Sequence, residues 1–343
     1  MVRAAGDEVA APPNEQPDGT GPADERPARG DLGVALVAGV VVAAALFRPL
    51  LEEVLGRPPV AHWATLFVAI AVQALPFLVL GVAVSAAIAA FVPPESIVRF
   101  LPRRQVFAVP MAAVAGAALP GCECGSVPIA GRLVARGAPA AAALAFLLSA
   151  PAINPIVLVS TAVAFPGRPE MVGARFLASL LAATVVGSVW ARTGRDSLLD
   201  GVRRRPSHDG SPLAVFVATA QHDLLQAGGF LIVGAATAAT LQTVVPRSAL
   251  DAVADAGPLA FLALAALAVV MAICSEADAF VAASLTQFSL AARLSFLVVG
   301  PMVDVKLIAL QAGIFGRSFA IRFAPLTFVV ALGSSALVGW WLL

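Results

Sequence analysis

The chain has 343 residues, of which 59% are hydrophobic and 13% charged, with a mean hydropathy of +0.90; soluble domains carry about 25% charged and about 45–50% apolar residues. A net charge of +1, without a basic aromatic-rich patch, speaks against a nucleic-acid partner. Three cysteines are too few for a disulfide framework. No G-x-x-x-x-G-K-S/T stretch is present to hold ATP, so energy is expected from an ion gradient or a partner.

Residues 1–32 are rich in Pro, Gly, Asp, Glu and Arg without an apolar core. They are read as a disordered cytoplasmic tail rather than a cleavable signal peptide, since such a composition cannot bury enough surface to fold. Apolar segments then follow at 33–51, 61–92, 105–121, 138–165, 170–191, 214–245, 258–274, 290–315 and 323–343. Runs of ~20 apolar residues match helices crossing ~30 Å of hydrocarbon. They are apolar all round rather than alternating, which excludes barrel strands. The fold class expected is therefore an all-α, multi-pass membrane protein of the cytoplasmic (inner) membrane. Trp63, Trp190, Trp340 and Trp341 stand near segment ends and read as interfacial anchors.

The middle of the chain carries Arg192, Arg195, Arg203, Arg204 and Arg205 with Pro206 and Gly210, a polar linker over 194–213. On either side the sequence repeats itself. Gln73–Gly81 (Q-A-L-P-F-L-V-L-G) reappears as Gln226–Gly234 (Q-A-G-G-F-L-I-V-G), and both lead to a Val-Pro. Cys124, Phe146, Pro151 and Asn154 match Cys274, Phe296, Pro301 and Asp304 at a constant offset of 150 positions, and Arg175-Phe176 matches Arg322-Phe323. The expected organisation is an extra helix at 33–55, a first unit at 61–193 and a second at 214–343.

Arginine placement orients the units. Cytoplasmic loops collect Lys and Arg, so the regions 99–104 and 192–205 both face inward. The two crossings between them leave 105–136 as a re-entrant hairpin with Cys122-Glu123-Cys124 near its tip. Each unit then has three crossings and a hairpin, and the odd number inverts the second unit relative to the first. The second hairpin, about 257–289, carries Cys274 near its tip. Inverted repeats with broken helices meeting at mid-membrane are an architecture of secondary transporters. Interrupted backbone at that depth needs protein or a water-filled cavity to satisfy it; Pro120-Gly121, Gly125 and Ser149–Pro155 are such interruptions.

All the cysteines, Cys122, Cys124 and Cys274, lie at the hairpin tips. Thiolates are soft ligands for thiophilic metals and metalloids, and three could make a three-coordinate site. Charges form the second signal. Glu123, Glu276, Asp278, Asp304 and Lys306 stand in apolar surroundings, where one charge costs roughly 2.5–3.5 kcal/mol even on lenient scales. Lys306 is the only lysine in the chain and, two positions from Asp304, is expected to hold that carboxylate ionised. Glu123 or Glu276 is the expected proton carrier. Asn154, counterpart of Asp304, offers a neutral amide to the same site, and Gln73 and Gln226 either line its cavity or bond helix to helix. His222-Asp223 falls at the inner interface. No Ser/His/Asp arrangement is present, so no enzyme and no cofactor are expected.

The stretches Pro-Gly-Cys-Glu-Cys-Gly-Ser-Val-Pro (120–128), Leu-Ser-Ala-Pro-Ala-Ile-Asn-Pro (148–155) and Gly-Pro-x-x-Asp-x-Lys (300–306) resemble the ArsP/YraQ-type (UPF0718-like) predicted permeases over about residues 60–343. That resemblance implies efflux of trivalent organoarsenicals, with Cys122, Cys124 and Cys274 as arsenic ligands. The partners it implies are a small-molecule or metalloid substrate and the lipid bilayer, with a homo-oligomer left open. Two other readings stay open: a heavy-metal cation transporter, and a redox or scaffold protein with a disulfide between the units.

Overall fold

The computed structural model describes residues 58–93, 102, 104–118, 123–193, 195–203, 211–244 and 258–343. The tail, the segment 33–55 and Cys122 lie outside the described residues. The described chain is helical, with no strand among the described residues. It runs α1 (Pro58–Phe91), α2 (Gln105–Ala115) with a 3₁₀ turn at Gly116–Ala118, α3 (Glu123–Ala135), α4 (Ala140–Ile153), α5 (Pro155–Ala164) and α6 (Pro169–Thr193). The short α7 (Asp200–Arg203) leads into α8 (Pro212–Val244), α9 (Pro258–Met271), α10 (Ser275–Ser284), α11 (Leu290–Val299), α12 (Val305–Phe315) and α13 (Arg317–Leu342).

Among the described residues, five helical spans are long and apolar enough to cross a membrane: α1, α4 with α5, α6, α8 and α13. At ~1.5 Å per residue, α1 with 34 residues and α8 with 33 are longer than a ~30 Å hydrocarbon core requires. The hairpin helices α2, α3, α9 and α10 have only 11, 13, 14 and 10 residues, too few for a full crossing.

The breaks in the other helices follow from local chemistry. Asn154 precedes Pro155, and the proline ring drives the preceding residue out of the helical region. Asn154 accordingly sits at φ −67°, ψ 158°. Its side chain bridges the break: Nδ2 donates to Ala150 O at 3.0 Å while Oδ1 accepts from Val157 N at 3.0 Å. One amide thus satisfies the end of α4 and the start of α5, which would otherwise leave buried groups unpaired. Asp304 does the corresponding work at the start of α12, accepting from Leu307 N, after Gly300-Pro301 has ended α11.

The packing order is nearly the same in the two halves. α2 lies on α4 as α9 lies on α11; α4 lies on α6 as α11 lies on α13; α10 meets α5 as α3 meets α12. The long helices α1 and α8 pack along each other, and α6 along α13. The long helices break the pattern. α1 packs on α3 and α8 packs on α12, whereas α8 has no comparable packing on α10, nor α1 on α5.

Those contacts depend on glycines at the crossings, as small residues let apolar helices approach closely. A β-carbon on Gly81 of α1 would lie 2.3 Å from Cα of Gly125 on α3, and one on Gly234 of α8 would lie 2.8 Å from Cα of Lys306 on α12. Gly81 and Gly234 are the final residues of the repeated Gln-to-Gly motif, so the motif marks where each long helix crosses the site. Gly81→Leu is expected to lower stability by ~1–3 kcal/mol, the cost of overpacking, as measured by thermal unfolding in detergent. Gly173→Leu, at a position with nothing within 4 Å of a β-carbon, is expected to be neutral; equal effects would refute the close-crossing account.

Candidate functional site

The two hairpin tips meet in the middle of the bundle, and a chain of polar bonds joins them. Glu123 opens α3 and Lys306 is the second residue of α12; the side chains are 0% and 1% exposed and lie 2.5 Å apart, Lys306 Nζ to Glu123 Oε1. The other oxygen, Glu123 Oε2, accepts from Ser275 Oγ at 3.2 Å, and Ser275 begins α10 beside the second tip. The helix dipole favours a carboxylate in the first turn of α3 but disfavours an ammonium in the first turn of α12. Lys306 is tolerated there because Glu123 faces it and Asp304 Oδ2 lies 3.9 Å away.

The lysine expected to serve Asp304 therefore pairs first with Glu123 of the other unit. Sequence distance gave no sign of this, because the partner is 183 positions away.

Cys124 and Cys274 are buried at 0% and 2% exposure and are not joined to each other; Cys124 follows Glu123 in the chain and Cys274 precedes Ser275, the residue that bonds to Glu123. Cys274 occupies the N-cap position of α10 without using its side chain as the cap. Glu276 is half-buried, and its Oε1, itself inaccessible, has no hydrogen-bond partner.

Other expected site residues fall elsewhere. Asn154 spends its side chain on the α4–α5 break. Gln226 bonds helix to helix, donating to Gly313 O of α12 at 2.8 Å, more than two turns past Asp304. Gln73 is exposed on α1, lining a groove of about 650 Å³ with Ala64, Val68 and Val72. Neither glutamine joins the cysteine centre, since the rotation of each long helix turns its glutamine away. Trp190 is also not an interfacial anchor: it is fully buried, edge-on to Phe319 and Phe323 of α13 at 5.2 and 5.7 Å.

Two polar groups were not anticipated as functional. Arg175 of α6 is fully buried and donates to Thr161 Oγ1 at 2.7 Å and to Ser275 O at 2.9 Å. An arginine inside an apolar segment was the available signal, obscured by its match to Arg322, which is exposed. The second group ties α3 to the long helices. Arg132 Nη2 pairs with Asp223 Oδ2 of α8 at 2.9 Å, and Ser85 Oγ of α1 donates to the same oxygen at 3.1 Å. Arg136 donates to the carbonyls of Ala89 and Val92 at the end of α1. Asp223 is thus engaged by an arginine of the first hairpin.

A polytopic helical bundle with hairpins that meet at a charged, thiol-bearing centre is the architecture of a membrane permease. Comparison with known proteins gives the same class: residues 60–339 match the family model ArsP_1, "Predicted permease". The chain belongs to this predicted permease family. It is 37% identical over 281 residues to UPF0718 protein YcgR of Bacillus subtilis (strain 168), covering 80% of this chain and 96% of that one. It is 30% identical over 282 residues to a putative two-component membrane permease complex subunit of Streptococcus mutans serotype c (strain ATCC 700610 / UA159), covering 80% and 94%. No solved structure matches.

Breaking a buried ion pair on one side costs ~3–5 kcal/mol, while replacing both partners by apolar groups of similar volume is often neutral. Lys306→Met is therefore expected to lower unfolding stability by about that much, and Glu123→Leu/Lys306→Met to recover most of it. Denaturant titration in micelles measures both; a double variant no better than the single one would show the pair not to be coupled.

Proposed function

We propose that this permease exports a thiophilic toxic solute, most specifically trivalent organoarsenicals, by alternating access. The observation that carries the reading is the burial of Cys124 and Cys274, one from each half, next to Glu123 and Ser275, which bond to each other beside Lys306. Cys122, two positions before Cys124, is the third thiolate in this reading. A soft trivalent arsenical bonds thiolates strongly, and its organic group suits the surrounding apolar walls.

The alternating part rests on the packing asymmetry. With the arginine-rich regions facing the cytoplasm, α3 and α12 form the inner half of the centre and α5 and α10 the outer half. In this arrangement α1 and α8 cover the inner half, latched by Arg132–Asp223, and leave the outer half without comparable cover. Two inverted units would exchange these roles on rocking, giving the opposite state. Glu276, half-exposed beside Cys274, is then the group placed to exchange a proton with the outer side, while Glu123 stays locked by Lys306.

Cys124→Ser or Cys274→Ser is expected to abolish protection of a sensitive bacterial host against phenylarsenite while leaving protein abundance in the membrane unchanged. Full protection by the triple Cys→Ser variant would rule thiolate recognition out. In proteoliposomes, Glu276→Gln is expected to remove the stimulation of phenylarsenite flux by a pH gradient; retention of that stimulation would assign the carboxyl a structural role only.

A further inference from the structure

Arg175 is the largest charged group buried in the described chain, and the bonds it makes are unusual for one. Its side chain is 0% exposed, and a guanidinium stays protonated even there. Yet its donors go to uncharged acceptors, the Thr161 hydroxyl of α5 and the Ser275 carbonyl of α10, and its Nε has no partner. No ion pair to Arg175 is present among the described residues. The carboxylates of Asp278 and Glu276 on α10 act on it from beyond ion-pair distance, so the several kcal/mol that a cation costs at membrane depth is offset in part from the second hairpin. The repeat does not account for it, because Arg322, its sequence counterpart, is exposed and reaches only its own helix at Ser318 O, 3.5 Å away.

What Arg175 touches is the tip of the second hairpin, and that tip is strained. Ala272, between α9 and Cys274, has φ +46°, the only non-glycine residue with positive φ among those described. Such a conformation costs about 1–3 kcal/mol and persists only where neighbours over-determine it. Two bonds do so here: Gln242 Nε2 donates to Met271 O at 2.6 Å on one side of the turn, and Arg175 donates to Ser275 O on the other. The planar guanidinium fork spans the two acceptors at fixed spacing, which a lysine ammonium does not reproduce. The arrangement is also reciprocal. Lys306 of the second half grips the first tip at Glu123, and Arg175 of the first half grips the second tip at Ser275.

We infer that Arg175 is a positioning residue that fixes Cys274 opposite Cys124, so that one arsenic atom bridges the two tips. The inference rests on the arsenical reading given above. The chemistry it serves is ligand exchange without redox change: phenylarsine oxide gives up its oxygen, which leaves as water with the two thiol protons, while two As–S bonds form.

The test uses the full-length protein in lipid nanodiscs with phenylarsine oxide as probe, in a Cys122→Ser background so that two As–S bonds require both tips. Arsenic X-ray absorption counts those bonds, and thermal unfolding of the same samples reports folding. The expected result is two As–S bonds for C122S, and one, with loss of the probe on dilution, for C122S/R175Q. Thr161→Val, which removes one of the two anchors and leaves the guanidinium, is expected to weaken retention in the same direction, and it stands as the deciding variant if R175Q does not fold. C122S/R175K is expected to recover only part of the retention. Two As–S bonds retained in both the R175Q and T161V variants would overturn the positioning role while leaving thiolate recognition intact. Failure of wild type and C122S alike to form As–S bonds would overturn the arsenical reading, and the inference with it.

Discussion

The rest of the bundle is arranged around one interaction, the contact between Lys306 and Glu123 at 2.5 Å with both side chains out of reach of solvent. Each charge at that depth would be costly alone, so neither the first hairpin tip nor α12 can leave the centre without stranding the other's charge. Ser275 extends the pair to the second tip through Glu123, and Arg175 anchors Ser275 to α5 and α6. A line of polar contacts thus runs from Thr161 through both tips to Lys306, with Asp304 3.9 Å beyond it.

That line explains why helices stop where they do. Asn154 and Asp304 end up at mid-bundle as caps, each taking up the backbone groups that a broken helix exposes. Their identities differ for a local reason: Asp304 faces the Lys306 ammonium 3.9 Å away, while Asn154 also donates back to Ala150 O, which a carboxylate would not do. The long helices cross the centre at glycines, so backbone rather than side chain lines the approach.

The asymmetry between the halves is what the proposed alternation rests on. The long helices α1 and α8 depart from the matching of the halves: they cover α3 and α12 and leave the other pair aside. The bonds holding that cover, Arg132–Asp223 with Ser85 and the Arg136 contacts with the end of α1, lie on one side of the centre. In the rocking motion proposed above, Arg132–Asp223 would meet water and weaken as solvent competes for its groups, whereas Glu123–Lys306 would stay buried.

By itself the sequence determined that the chain is helical and membrane-embedded, because apolar runs of that length leave no other way to satisfy the backbone in lipid. It also placed the cysteines and acids at breaks, since Pro, Gly and Asn interrupt helices through local sterics and local hydrogen bonds. Partner choice it did not determine. Lys306 looked assigned to Asp304, two residues away, and only tertiary packing brought Glu123 closer from 183 positions off. Gln73 and Gln226 repeat in sequence yet face different surroundings, because the rotation of a long helix is set by what it packs against. Trp190 stands at a segment end, where lipid headgroups are the ordinary neighbour, but α13 closes over it. Arg175 matched Arg322 letter for letter, and burial separated them: one is enclosed by α5 and α10, the other faces outward. Such distinctions depend on which helices become neighbours, and that is decided by the fold as a whole.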